Sequence, residues 1–332
     1  MKWYPWLNTT YQQILYRYQK ANGHHALLLH SQPGNGEISL LYALSRWLIC
    51  RQSNGVNKSC GLCKDCRLMI AGNHPDFYQL EPEKIHKNLG VDYIRSIIES
   101  IHHNAHQGGV KVILLPNTEL LTDQSPNVLL KALEEPPTDT YFLLGCHTLS
   151  RLLPTLRSRC LYWSLSTPNE EIGLRWLKKA GFEDSLSAYT ALRICANAPL
   201  LAEALLQPAC WQKRTSLCEA LQEAHISGNF LILLPILNRD KDYEPLHWLL
   251  SLISDALKWQ KSAKISLVNI DKVELVAIIA NRWPARTLHM QWRNCLKCLC
   301  QCQEISGINR ELLLIHYLLN WERGISDSYL SL

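Results

Sequence analysis

The sequence predicts a parallel α/β sheet domain in its first half and an all-helical second half. Short apolar runs alternate with helical periods up to about residue 163, and strands vanish after Thr167-Pro168. A glycine-bearing loop also joins the first apolar run to a helix-like stretch. Strand and helix in alternation is the pattern of parallel strands linked by crossover helices.

The strand candidates are Ala26–His30, Phe77–Leu80, Val110–Leu115, Tyr141–Gly145 and Leu161–Ser164. Helical segments between them include Leu40–Cys50, Asp92–His102 and Asn127–Leu133. The last of these is well punctuated: Ser125 is placed to cap it, Pro126 fits its first turn, and Pro136-Pro137 stop it. Leu129, Leu130 and Leu133 then share one buried face. Residues 168–207 read as three short helices broken at Gly181 and Pro199. Beyond them, apolar 3–4 spacing marks Trp211–Ala224, Phe230–Leu237, Pro245–Trp259, Val273–Asn281, Thr287–Glu304 and Asn309–Glu322. The expected division is an α/β domain at 1–165 with a metal module inserted at 50–66, a small helical lid at 166–207, and a helical C-terminal domain at 208–332.

The 332 residues are 47% hydrophobic and 19% charged, an ordinary globular composition with room for two or three cores. A formal net charge of +5 permits contact with nucleic acid without arguing for it. No apolar stretch reaches the ~18 residues that span a bilayer; Leu40–Cys50 is broken by Arg46, and Phe230–Leu237 contains Pro235. Met1-Lys2-Trp3-Tyr4-Pro5-Trp6 offers no apolar signal region, so a cytoplasmic protein is expected, with no membrane partner. In that compartment thirteen cysteines are metal ligands and buried thiols before they are disulfides.

The loop Ser31-Gln32-Pro33-Gly34-Asn35-Gly36-Glu37-Ile38 has the frame of a phosphate-binding loop without its chemistry. A working loop ends in Gly-Lys-Ser/Thr, whose lysine meets the β/γ oxygens and whose hydroxyl holds Mg²⁺. Gly34 and Gly36 keep the turn, but Glu37 replaces the lysine and Ile38 the hydroxyl. A carboxylate ~4 Å from a phosphate repels it by on the order of 4 kcal/mol per charge pair at an effective dielectric near 20. The strand Lys111–Leu115 would carry the Mg²⁺-holding acids of an ATPase at its tip. Pro116 and Asn117 stand there instead, and Glu119 lies too far beyond to replace them. Lysine, hydroxyl and acidic pair are all missing, so no ATP is expected on this chain.

Cys60-Gly61-Leu62-Cys63-Lys64-Asp65-Cys66, with Cys50 upstream, supplies four thiolates that close a tetrahedral Zn²⁺ shell, a structural site. An iron–sulfur cluster is the rival, but the usual Cys-Pro is missing. Cys295, Cys298 and Cys302 fall on one helical stripe and read as packing thiols, with Cys300 pointing elsewhere. His102, His103 and His106 read as a solvated helix end. Leu153-Pro154-Thr155-Leu156-Arg157-Ser158-Arg159-Cys160 precedes the last strand. Its arginine is either an exposed cation or one projected toward a neighbour's triphosphate, where it spreads transition-state charge.

His24-His25-Ala26-Leu27-Leu28, the four-cysteine insertion, Leu130-Lys131-Ala132-Leu133-Glu134-Glu135-Pro136-Pro137 and Ser158-Arg159-Cys160 together resemble the AAA+ clamp-loader family of bacterial DNA polymerase III. Trp3-Tyr4-Pro5-Trp6 and Gly307-Ile308-Asn309-Arg310-Glu311-Leu312-Leu313 are similar to its delta-prime branch. The resemblance implies a non-hydrolysing member of a five-subunit ring with gamma/tau and delta. That ring uses ATP to place a sliding clamp on primed DNA. It implies that Arg159 is a finger offered in trans, that Cys50, Cys60, Cys63 and Cys66 hold zinc, and that the last helices form the ring's collar. Leu200 stands near the place of the second-domain sensor arginine of active AAA+ subunits. Neither ATPase nor polymerase chemistry is expected from this chain; DNA-directed DNA polymerase activity would belong to the holoenzyme, at the nucleoid-associated replisome.

Overall fold

The five apolar runs become five parallel strands, the three central ones buried on both faces and the two edge ones only in part. The computed structural model describes residues 1–20, 23–52, 57–81, 89–103, 105–122, 124–239, 242–305 and 307–329, with side chains as far as Glu322. Residues 53–56 of the expected metal module lie outside the described residues. The chain divides into two units, Met1–Pro168 and Asn169–Leu332.

The first unit runs α1 (Asn8–Gln19), β1 (Ala26–Ser31), α2 (Glu37–Ile49), α3 (Lys64–Ile70), β2 (Phe77–Gln79), α4 (Val91–His102), β3 (Lys111–Leu115), α5 (Ser125–Glu134), β4 (Thr140–Cys146), α6 (Pro154–Arg157) and β5 (Leu161–Leu165). The sheet order is β2-β3-β4-β1-β5, with every pairing parallel. Side chains alternate across a strand. Leu27 and Leu29 therefore enter a core with Leu15, Leu40, Leu41 and Leu44 of α1 and α2. Ala26 and Leu28 enter a second core with Ile94, Ile101, Leu129 and Leu133 of α4 and α5. Central strands β3, β4 and β1, covered on both faces, therefore read as continuous apolar runs, whereas edge strands β2 and β5 mix apolar with exposed or half-buried positions.

The capping of α5 departs from expectation. Ser125 is the first helical residue, not the cap, and the buried hydroxyl donates to the Leu89 carbonyl at 2.9 Å. That tertiary bond anchors the helix end to the loop before α4. Leu130 is only half-buried, and Ala132 joins Leu129 and Leu133 on the inner face. Helix α1 shows little helical period in the sequence, since its buried stripe is only Tyr11, Ile14 and Leu15 among tyrosines, threonines and glutamines.

The second unit holds α7 (Glu170–Lys179), α8 (Ser185–Ile194), α9 (Pro199–Leu205), α10 (Pro208–Ser227), α11 (Leu234–Leu237), α12 (Glu244–Gln260), α13 (Val273–Arg282), α14 (Ala285–Glu304) and α15 (Arg310–Tyr329). Asn169 caps α7 by accepting from the Ile172 N–H, and Asp184 caps α8 by accepting from Leu186 and Ser187. Phe230–Leu237 is not one helix: a 3-10 turn over Phe230–Leu233 leads into the single turn of α11, where Pro235 sits at the start. One apolar cluster joins Leu192 of α8 and Ala202 of α9 to Leu221, Leu249, Ile279 and Leu318 of the later helices. Buried Arg214 is held bidentately by Asp271 at 2.6 and 2.8 Å and donates to Asn269 Oδ1 at 2.9 Å. Two parallel bonds to a carboxylate are how a buried guanidinium is compensated. Cys295, Cys298 and Cys302 are buried on α14, while Cys300 is half-buried.

Candidate functional site

Parallel strands open their functional crevice at their carboxyl ends. There the loop after β1 meets the tips of β3 and β4. Gly34 and Gly36 both take left-handed backbone, at φ 81° and 82°, and Gly36 forms the entry to α2. A Cβ on Gly36 would lie 2.6 Å from Tyr4 Cδ2, so the aromatic ring sits directly on the loop. Trp6 stacks on Tyr4 with centroids 5.1 Å apart, and its indole donates to the Asn35 carbonyl at 2.8 Å. The N-terminal aromatic segment therefore covers the turn that the glycines make.

Glu37, in the first turn of α2, is buried at 7% exposure. Its Oε1 lies 3.9 Å from His147 Nε2, and its Oε2 meets no hydrogen-bond donor. His147 Nδ1 is 2.9 Å from the Ser31 carbonyl, so that nitrogen carries a proton and donates. Buried acceptor oxygen, not a lysine ammonium, thus lies at the helix entrance. Ile38 is exposed and contributes no hydroxyl.

The β3 tip is equally committed to structure. Asn117 Oδ1 accepts from the Glu119 N–H at 3.0 Å, and Thr118 Oγ1 donates to the Gly145 carbonyl at 2.9 Å. Glu119 Oε1 accepts from the backbone N–H groups of His147, at 3.0 Å, and of Thr148. The Pro116 carbonyl would stand 2.1 Å from a Cβ at Gly145, so the two strand tips meet backbone to backbone.

Arg159 follows the short α6 and precedes β5. Its Nη1 donates to the Thr155 carbonyl at 2.8 Å, and its Nη2 pairs with Glu134 Oε1 at 2.5 Å. The side chain is about one-third exposed. Glu134 is the last residue of α5, so the two motifs noticed separately in the sequence meet through one ion pair. Nothing in local spacing reveals that pairing.

The four sulfurs of Cys50, Cys60, Cys63 and Cys66 lie within 4.8 Å of one another. A tetrahedral Zn²⁺ with bonds of about 2.3 Å sets its sulfurs about 3.8 Å apart, so this set fits a closed tetrahedral ion. Gly61, at φ 74°, makes the turn between Cys60 and Cys63. The N–H of Cys63 points at Cys60 Sγ (3.3 Å), and that of Cys66 at Cys63 Sγ (3.4 Å). The N–H groups of Cys63 and Leu62 draw the Cys60 thiol down to about 6, while burial pushes Cys66 up to about 12. A bound cation would override both by holding all four as thiolates.

A brace missed in the sequence ties this module to the sheet. Arg51 Nε donates to Asp65 Oδ2 at 2.9 Å, and the other Asp65 oxygen faces His74 Nε2 at 3.5 Å. His74 Nδ1 accepts from the Asp76 N–H, and the Asp76 carboxylate accepts from the N–H groups of His106 (2.7 Å) and Gln107 (2.9 Å). His102, His103 and His106 themselves are exposed.

Three family profiles tile the chain. "DNA polymerase III, delta subunit" matches residues 6–169, "DNA polymerase III subunit delta', AAA+ ATPase lid domain" residues 168–207, and "DNA polymerase III, delta subunit, C terminal" residues 208–323. The chain is 49% identical to DNA polymerase III subunit delta' of Yersinia pestis, over 98% of this chain and 97% of the relative. The chain belongs to the DNA polymerase III subunit delta' family. The delta' of Escherichia coli K12 is 42% identical over 97% of this chain and 96% of its own length. A gamma subunit from Buchnera aphidicola (Acyrthosiphon pisum) is 31% identical over 53% of this chain and 48% of that protein. Among the described residues, no helix of this delta' family member is long and apolar enough to cross a membrane.

Proposed function

We propose that this delta' family member is the non-hydrolysing subunit of a bacterial clamp loader, acting as scaffold and as donor of Arg159 to a neighbour's ATP. The observation that carries the reading is the loop after β1. Its lysine position is a buried carboxylate, and its turn is covered by Tyr4 and Trp6. A phosphate brought there would meet repulsion of on the order of 4 kcal/mol at ~4 Å and effective dielectric near 20. The β3 tip adds no free carboxylate, since Glu119 is engaged with two backbone N–H groups.

Partners in this reading are gamma/tau and delta in a five-membered ring, with the sliding clamp and primed DNA engaged through the complex in the cytoplasm. Residues 166–207 would act as the lid and 208–332 as the collar. Cys50, Cys60, Cys63 and Cys66 would hold a structural Zn²⁺, which would supply a rigid fold rather than catalysis. Partly exposed Arg159 suits a group that must leave the protein surface, because its one ion pair, to half-exposed Glu134, is worth only about 0–1 kcal/mol. A triphosphate would outcompete Glu134 for it.

The test is Arg159→Ala in the complex reconstituted with gamma and delta homologues. The ring should still co-elute, while DNA-stimulated ATP turnover falls by about 10³-fold or more at the one site the arginine serves. Unchanged turnover at that site overturns the role of Arg159.

A further inference from the structure

The first 64 residues hold seven lysines and arginines against one carboxylate, Glu37. That local excess is larger than the +5 of the whole chain. The N-terminal residues, α1, α2 and the stretch leading into the cysteine turn border an open cavity of about 580 Å³. Trp3, Tyr11, Arg46, Asn57, Lys58 and Ser59 line it, and among the described residues no acidic side chain does. The size is that of small-ligand sites.

Its donors have work left to do. Arg46 Nε is buried and meets no hydrogen-bond acceptor. An anion beside the part of the Arg46 side chain that lines the cavity would offset the guanidinium's desolvation through its charge, not by bonding the buried Nε. The phenol of Tyr11 feels the same guanidinium: burial raises it to about 12, and Arg46 acts against that rise. Asn57 spends its carbonyl oxygen on Gln19 Nε2 at 3.5 Å, which leaves its amide N–H groups to give. Trp3 is fixed by its indole bond to Asn8 Oδ1 at 2.8 Å and by its edge on Tyr11 at 5.2 Å, yet it stays 39% exposed. Guanidinium, ammonium, hydroxyl and amide donors beside an open aromatic ring are the donor set of a phosphate ester with an attached ring system.

We propose that this cavity binds the phosphate of a nucleotide, free or within a single strand. Arg46 and Lys58 neutralise the phosphate oxygens, Ser59 and Asn57 donate to them, and Trp3 supplies a surface for the base. The site is separate from the loop after β1. Glu37 opens α2 and Arg46 lies nine residues on in its last turn, about 13 Å away along the axis. It rests on neither the Arg159 reading nor the inert loop.

The experiment is calorimetry on the full-length, metal-loaded chain at low salt. Thymidine 5′-monophosphate and a ten-residue oligothymidylate are titrated separately, with thermal midpoints recorded for each variant. At least one should bind; Arg46→Gln should weaken it about tenfold, and Lys58→Gln at least about threefold. Lys64→Gln, exposed on α3 and outside the cavity, should change it by less than about twofold. Binding of the monophosphate identifies a free nucleotide as sufficient; binding of the oligonucleotide alone identifies the strand. Exposed Lys58 keeps the test independent of any packing loss at Arg46. No binding of either probe, or an equal loss from Lys64→Gln and Lys58→Gln, overturns the proposal.

Discussion

At position 37 a lysine would greet phosphate oxygens, whereas the buried Glu37 carboxylate presents an oxygen with no donor of its own. The residue type was legible in the sequence; its burial was not, nor was its neighbour His147, which follows β4 and lies 110 positions later. His225 shows how fully a single side chain can be fixed by its surroundings. Its Nδ1 donates to the Leu221 carbonyl at 2.8 Å, and its Nε2 accepts from the Trp283 indole at 3.1 Å. Burial drives the ring's pKa from 6.5 to about 4. An unfolded histidine takes its proton near pH 6.5, while the folded one resists until about 4. The contribution is therefore complete above pH 6.5 and is lost as pH falls through about 4, by up to about 3 kcal/mol. Urea unfolding at pH 7 and pH 4.5 should show that drop, and His225→Gln should flatten it.

Among the elements, the cysteine module shows where short-range pattern is enough and where it stops. Cys60, Cys63 and Cys66 are gathered by one turn and the start of α3, so their spacing alone marked them as sulfurs that come together. The chain Arg51–Asp65–His74–Asp76 that seats the module on the sheet was invisible, since its bonds reach the residues before β3. Metal should therefore stabilise more than the turn. Atomic absorption should find one zinc per chain and the protein should be colourless. Chelation should lower the melting temperature by several degrees or more, reversed by zinc; a visible absorption band would instead indicate an iron–sulfur cluster. The same contrast governs α5. Its proline signals placed its ends within two residues, but Ser125 turned from cap into anchor once the Leu89 carbonyl came within reach.

At the scale of the whole molecule, Glu37, Ile38 and the Pro116–Asn117 tip of β3 stand where a working phosphate site would carry a lysine, a hydroxyl and acids. The Tyr4–Trp6 cover adds a fourth obstacle, which the sequence showed only as an aromatic N-terminus. Incubated with millimolar Mg·ATP, the isolated chain should release no phosphate, and any heat of ATP uptake in calorimetry should disappear with Arg46→Gln, the loop after β1 taking none. Tight uptake followed by hydrolysis would remove the scaffold reading altogether.

The sequence by itself determined the parallel sheet, the helical second half and the set of four sulfurs. Each of these is written in residue type and short-range period, which a chain displays before it folds. Tertiary structure alone decided that Glu134 holds Arg159, that Tyr4 and Trp6 cover the loop, and that Arg46 faces a cationic cavity. Those are meetings between segments separated along the chain, and they exist only once the cores bring the segments together.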